Sequence, residues 1–128
     1  MLAQVSIEFI VFVSVLTVIL LLTIYYNSTI YMEMNSAKIY NDAQGICDQI
    51  AFEINMALRA GNGYSRNFHI PYKISDSVNY NISLGNYLVI VNWAGSSTQS
   101  IILTNNITAN FTKGQNLIKN LNGSIRVN

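Results

Sequence analysis

The N-terminal quarter of the chain is dominated by one long apolar segment, which most constrains the fold. Residues 9–32 contain no Asp, Glu, Lys, Arg or His, and Phe9–Tyr26 is interrupted only by Ser14, Thr17 and Thr23. An α-helix of that length is about 27 Å long, close to the hydrocarbon thickness of a bilayer. Such a helix tolerates isolated hydroxyls because each can donate to a carbonyl oxygen one turn earlier. The segment must therefore lie in lipid or be buried among similar helices.

The charges of the chain are few and unevenly distributed. Charged residues make up 10% of the 128 residues, against the usual quarter. Residues 1–60 carry five carboxylates and two cations, a net −3, whereas residues 61–128 carry one carboxylate and five cations, a net +4. The cations are scattered, which argues against nucleic-acid binding. Either the acidic and basic parts attract each other between subunits, or the charges only hydrate two surfaces.

A second helical pattern follows the apolar segment. Apolar residues recur at spacings of three and four, which is typical of an amphipathic helix. This stripe consists of Ile39, Ala43, Ile46, Cys47, Ile50, Ile54, Ala57 and Leu58. Gly61-Asn62-Gly63 is a strong stop signal, preceded by Arg59 in the last turn. The sequence therefore predicts one helix from Gln4 to Ala60, with a bend expected near Asn27–Thr29, whose residues have low helix propensity.

From Tyr64 onwards the apolar period becomes two, which indicates β-strands. We expect strands at 68–74, 78–84, 87–93 and 98–104, a weaker one at 106–111, and a last hairpin turning at 120–123. Gly85-Asn86 is the predicted turn of the hairpin between the second and third strands. The predicted fold is α+β: a long N-terminal helix (domain 1–60) followed by a small antiparallel sheet of five to seven strands (domain 61–128). The sheet is expected to pack on the C-terminal half of the helix.

The sequence contains no recognisable catalytic or metal-binding constellation. Cys47 and His69 are the single cysteine and histidine, which excludes an intrachain disulfide and leaves too few ligands for a zinc site. We expect Cys47 to be buried and inert, and His69 to have an ordinary packing or surface role. Most of the eight tyrosines alternate along predicted strands, which favours packing over carbohydrate contact or electron transfer. We therefore expect no enzymatic activity and no cofactor.

A short motif opens the apolar segment. Gln4-Val5-Ser6-Ile7-Glu8-Phe9 places one carboxylate just ahead of the uncharged run. Gln4, Ser6 and Glu8 match the Gln-x-Ser-x-Glu pattern of a class III signal peptide, and the chain resembles archaeal type IV pilins. The resemblance covers about the first 30 residues in motif and the whole chain in layout. It implies that a prepilin peptidase cuts just before Gln4. Residues 1–3 depart from the family pattern, because no Lys/Arg-Gly precedes Gln4.

The resemblance also implies a function. Family members are structural subunits that are held in the membrane by the N-terminal helix. An assembly platform then polymerises them into an extracellular filament, here expected to serve adhesion or surface attachment. The residues expected in the filament core are Phe9, Ile10, Phe12, Val13, Leu16, Ile19, Leu20 and Ile24. In the family, the acid at the position of Glu8 pairs with the N-terminal amine of a neighbouring subunit. Alternatively, Glu8 lies at the headgroup level or favours the helix N-terminus.

Two other functions remain open from the sequence. The chain could be a single-pass, membrane-anchored binding module that never polymerises, or a minor pilin that does not form the bulk of a filament. Five Asn-x-Ser/Thr sequons suggest a glycosylated extracytoplasmic surface. They begin at Asn27, Asn81, Asn106, Asn110 and Asn122.

Overall fold

The computed structural model describes the backbone of residues 2–128 and the side chains of residues 6–128. The described part comprises one α-helix and seven β-strands. They are α1 (Leu2–Ala60), β1 (Ser65–Ile70), β2 (Asn81–Gly85), β3 (Leu88–Trp93), β4 (Ser96–Ile101), β5 (Ile107–Ala109), β6 (Gly114–Leu121) and β7 (Ser124–Val127). The chain divides into two compact units, residues 1–37 and residues 38–128, which are described separately below.

The described part of the first unit is entirely helical. Ser14, Thr17 and Thr23 each donate a hydrogen bond to the carbonyl oxygen four residues earlier, at 2.7–2.8 Å. The hydroxyls therefore present no unsatisfied donor to an apolar surrounding, as the sequence predicted. The polar residues Ser28 and Thr29 both donate to the carbonyl of Tyr25 and remain within α1.

The second unit contains the C-terminal part of α1 and all seven strands, and its core forms between them. The predicted stripe of α1 is confirmed: Ala43, Cys47, Ile50, Ile54 and Ala57 are at most 1% exposed. They pack against inward-facing apolar residues of both sheets and of the loops beside them. The sheet residues are Phe68, Ile70, Val89, Val91, Trp93, Ile118, Ile125 and Val127, and the loop residues are Ile74, Tyr80 and Ile102.

The strands form two sheets rather than the single antiparallel sheet expected from the sequence. One sheet has the order β1-β6-β7-β5 and the other β2-β3-β4. All pairs are antiparallel except β5 and β7, which run parallel with Ile107 opposite Ile125. The parallel pair arises because β6 carries the chain back before β7 begins, and this return acts as the crossover that parallel strands require.

Several strand ends differ from the predicted ones, two of them for identifiable reasons. β1 ends at Ile70, since Pro71 lacks the N–H that a ladder needs. The β2–β3 turn contains Asn86 and Tyr87, one residue later than predicted, because Gly85 pairs with Leu88. β4 ends at Ile101 rather than at residue 104.

Two buried asparagines occupy inward-facing positions of β6. Asn116 is 2% exposed and donates to the carbonyl of Thr112 at 2.7 Å, while its side-chain oxygen accepts from the Thr112 N–H at 2.9 Å. Asn120 is 1% exposed and bonds to Ala57 at the end of α1 and to Gly123 in the β6–β7 turn. Both amides meet the requirement that buried polar groups be hydrogen-bonded.

Candidate functional site

The main candidate site is the surface of the apolar segment, Phe9–Tyr26, in the first unit. Its large hydrophobic side chains are between 43% exposed, at Val13, and 73% exposed, at Tyr25. By length and composition α1 is able to cross a membrane, and none of its most apolar 18-residue window is buried. In water this surface would be strongly unfavourable, because burying one such side chain contributes about 1.5–3 kcal/mol.

The predicted filament-core residues share this exposure. All eight are at least 43% exposed, from Val13 and Leu16 to Phe9. At about 100° per residue these eight side chains fall within one half of the helix circumference. The other half is covered by further apolar residues that are 53–62% exposed, namely Val11, Val15, Val18 and Leu22. A helix that is apolar on every side needs a complete apolar surrounding. Lipid or a bundle of similar helices can supply it.

The motif residues are only partly described. The side chain of Gln4 lies outside the described residues. Ser6 and Glu8 are exposed on α1. Glu8 has no cationic partner within residues 6–128, where the ion pair present joins Arg66 to Glu53. The carboxylate of Glu8 is therefore available to a cation from outside the described chain.

Tyrosines border the other end of the apolar segment. Tyr25, Tyr26 and Tyr31 are 73%, 69% and 71% exposed. Amphipathic tyrosine rings favour the boundary between hydrocarbon and water, where the ring is apolar and the hydroxyl is hydrated. This boundary was not predicted from the sequence, although tyrosines at the end of an apolar run and shortly after it are a recognisable signal.

The single cysteine and the single histidine, which are the candidates for catalysis or metal binding, lie where they serve packing. Cys47 is fully buried, as predicted, with its Sγ 3.2 Å from the carbonyl oxygen of Val89. Burial raises the pKa of this thiol, so the reactive thiolate is disfavoured. His69 is exposed and lies edge-on to Tyr72, with ring centroids 6.3 Å apart. Among the described residues, no three His, Cys, Asp or Glu side chains come together as a metal site.

A groove of about 400 Å³ lies at one end of the three-stranded sheet. It is lined by Asn79, Asn81, Asn92, the 94–95 turn and the first two residues of β4, together with Tyr80 and Trp93. The two aromatic residues are only 4% and 8% exposed, and Trp93 packs against Tyr40 at a centroid distance of 6.1 Å. Their ring faces are therefore occupied by packing and offer no stacking surface to a sugar, in line with the packing role expected from the sequence.

Lys113 and Tyr80 form a partly buried pair between two loops. The Nζ of Lys113 donates to the carbonyl oxygen of Tyr80 at 2.9 Å and lies 2.7 Å from the centroid of its ring. Burial lowers the pKa of Lys113 to about 8 and raises the pKa of Tyr80 to about 12. The pair connects the loop before β6 to the segment leading into β2, which is a structural role.

The sequons fall into two groups. In the first unit, Asn27 is in α1 and its Nδ2 donates to the carbonyl of Thr23 at 2.9 Å. Four sequons lie in the second unit with exposed asparagines, and their side-chain amides have no hydrogen-bond partner among the described residues. These are Asn81, Asn106, Asn110 and Asn122. Among the described residues, only the second group has a side-chain Nδ2 that is free to receive a glycan.

Comparison with protein-family models, with curated proteins and with solved structures gave no match.

Proposed function

We propose that this chain is a structural subunit of an extracellular filament of the archaeal type IV pilus kind. In this proposal the apolar segment holds the subunit in the membrane and then forms the filament core with the same segment of other copies. The observation that carries the proposal is the exposure of apolar side chains on every side of Phe9–Tyr26. A surface of this kind, once it leaves lipid, must be covered again, and identical helices can cover it.

Glu8 supports assembly over simple anchoring. A carboxylate at the edge of an apolar helix costs several kcal/mol when it is unpaired in lipid or in a helix bundle. Glu8 has no cation near it among the described residues, so a second copy is a suitable source of one. The match of Gln4, Ser6 and Glu8 to the pilin processing pattern is consistent with this role.

The competing function is a membrane-anchored module that acts as a monomer. It would use the same apolar segment, but it needs a binding site in the second unit. The groove beside Trp93 has its aromatic rings buried, and no metal cluster occurs within the described residues. Neither of these features supplies such a site, whereas the exposed apolar segment and Glu8 both fit a filament subunit.

Deletion of residues 1–27 tests the proposal. The remaining chain keeps the whole second unit, so it should be a soluble, folded monomer by circular dichroism and analytical ultracentrifugation. It should also be absent from filaments sheared from cells. The full-length chain, expressed in parallel, is the control and should be found in sheared filaments. Filament formation by the truncated chain would contradict a core made of the apolar segments.

A further inference from the structure

The outer side of the four-stranded sheet carries a cationic surface. Lys119 of β6 and Arg126 of β7 are directly opposite each other in the strand register, and both are exposed. Like charges in this arrangement are destabilising. No carboxylate within residues 6–128 forms an ion pair with either of them. Leu117 and Leu121 flank Lys119 on the same face, and Leu121 is 44% exposed. We call these four residues the basic face.

A second surface of the same unit combines one carboxylate with exposed apolar side chains. Asp48 of α1 accepts hydrogen bonds from Ser100 of β4 and, at 2.8 Å, from the Nε2 of Gln44. These bonds hold its carboxylate in place without neutralising it. The exposed apolar side chains that line the same groove are Phe52 (56% exposed) and Ile101 (71%). We call Asp48 and these two residues the acidic groove; the groove has a volume of about 480 Å³.

The two surfaces lie on different sides of the second unit. The inner face of the four-stranded sheet packs on α1, as the buried hydrogen bond from Asn120 to Ala57 shows. The basic face is on the other side of that sheet, because side chains alternate along β6. The acidic groove instead lies beside α1, where β4 runs along it.

We propose that the basic face of one copy docks into the acidic groove of a second copy. Charge complementarity selects this partner, because the contact would place a carboxylate against two cations that have none of their own. Pairing of two basic faces would oppose four cations, so a symmetric dimer through this surface is disfavoured. A contact between two different surfaces can repeat from copy to copy and so extend a filament. The inference rests on the proposed function, for which it supplies the contact between the second units of neighbouring copies.

Cross-linking of the full-length chain in detergent micelles tests the contact. Ser65→Cys places a thiol opposite Lys119, and Gln99→Cys places one at the acidic groove. Both positions are exposed, while Cys47 is fully buried and should not react. With a short bismaleimide we expect dimers only when the two variants are mixed, and a ladder from the chain that carries both substitutions. Dimers from either variant alone, or no dimers in the mixture, would overturn the proposal.

Charge reversal provides the second test. In the Ser65→Cys chain, Lys119→Glu with Arg126→Glu should reduce mixed dimers by about tenfold or more, because like charges then face each other. Asp48→Lys in the Gln99→Cys partner should restore them. The matched control, Lys38→Glu with Lys73→Glu, makes the same charge change at exposed positions elsewhere in the unit and should leave the yield unchanged. An equal loss in the control, or no loss in the Lys119/Arg126 variant, would overturn a specific contact.

The outcomes also separate this proposal from the proposed function. Mixed-only cross-links together with the absence of the chain from sheared filaments would support the contact and overturn the filament assignment. Sheared filaments that contain the chain but give no cross-links between these positions would overturn the contact alone.

Discussion

The side-chain amide of Asn120 donates a hydrogen bond to the carbonyl oxygen of Ala57 at 2.8 Å, with both residues at most 1% exposed. Ala57 is in the last turn of α1, where carbonyls have no partner within the helix. The same side chain accepts a bond from the Gly123 N–H at 2.9 Å. One residue of β6 thus satisfies the end of α1 and the β6–β7 turn together.

Removal of this amide should destabilise the second unit. We expect Asn120→Ala to lower the free energy of unfolding by about 2–4 kcal/mol, because it leaves the buried carbonyl of Ala57 without a donor and also removes the bond to the Gly123 N–H. Chemical denaturation of the chain lacking residues 1–27 measures this. Gln115→Ala, at an exposed position of the same strand, is the control and should change stability by less than about 0.5 kcal/mol. Equal stability of the two variants would show that the Asn120 bonds contribute little.

The Lys113–Tyr80 pair predicts how stability depends on pH. The pKa of Lys113 falls from 10.5 to about 8 on folding, so above pH 8 the unfolded chain binds more protons and stability should rise with pH. The pKa of Tyr80 rises from 10.0 to about 12, so above pH 10 the folded chain binds more protons and stability should fall. Together these two groups place a maximum near pH 10. The Cys47 thiol, whose pKa burial raises above 9.0, adds a fall in stability above pH 9 and moves that maximum to lower pH.

Comparison with a Lys113→Met variant isolates the lysine. Because the two chains differ only at residue 113, the difference in unfolding free energy between them should change between pH 8 and 10. The variant should lose the rise over that range and keep the fall above pH 10. Parallel pH profiles for the two chains would contradict the assigned pKa of Lys113.

Glycan occupancy should differ between the two groups of sequons. Asn81, Asn106, Asn110 and Asn122 are exposed with free amides, whereas the amide of Asn27 is bonded within α1. We therefore expect glycans on the four sites of the second unit more often than on Asn27. Glycopeptide mass spectrometry of material from the native host measures occupancy site by site. An unmodified intact mass would contradict the prediction.

Glu8→Gln should affect processing or assembly and not the fold. Glu8 belongs to the first unit, and the core of the second unit begins at Ala43. The unfolding free energy of the second unit should therefore not change. We expect either uncleaved precursor or cleaved subunits that remain in the membrane. Immunoblots of membrane and sheared fractions separate these results. Normal cleavage with a normal filament yield would show that Glu8 has no role in processing or assembly and is only a charge at the membrane interface.

The helix and its buried stripe could be predicted from the sequence because their signals are local. A 3.6-residue period and a Gly-Asn-Gly stop define where α1 packs and where it ends. The exposure of the apolar segment in an isolated chain follows from its composition in the same way. For the candidate site, the exposed apolar residues of Phe9–Tyr26 and the position of Glu8 could therefore be predicted from the sequence.

Strand partners and buried amides could not be predicted, since they depend on distant residues. The parallel pairing of Ile107 with Ile125 requires knowing that β6 returns between them. Asn116 and Asn120 occupy inward positions beside Ile118, and only their hydrogen bonds make that burial favourable. Two asparagines on the same face as a buried isoleucine were the available signal. The acidic groove was missed because α1 and β4 create it jointly.

Polymerisation of this chain through its apolar segment can be observed by electron cryomicroscopy of filaments sheared from cells that express it. We expect filaments built from this chain, with the Phe9–Tyr26 helices of many copies packed against one another in a central bundle. Filaments whose cores lack these helices would contradict it, as would recovery of the chain only as a membrane-bound monomer.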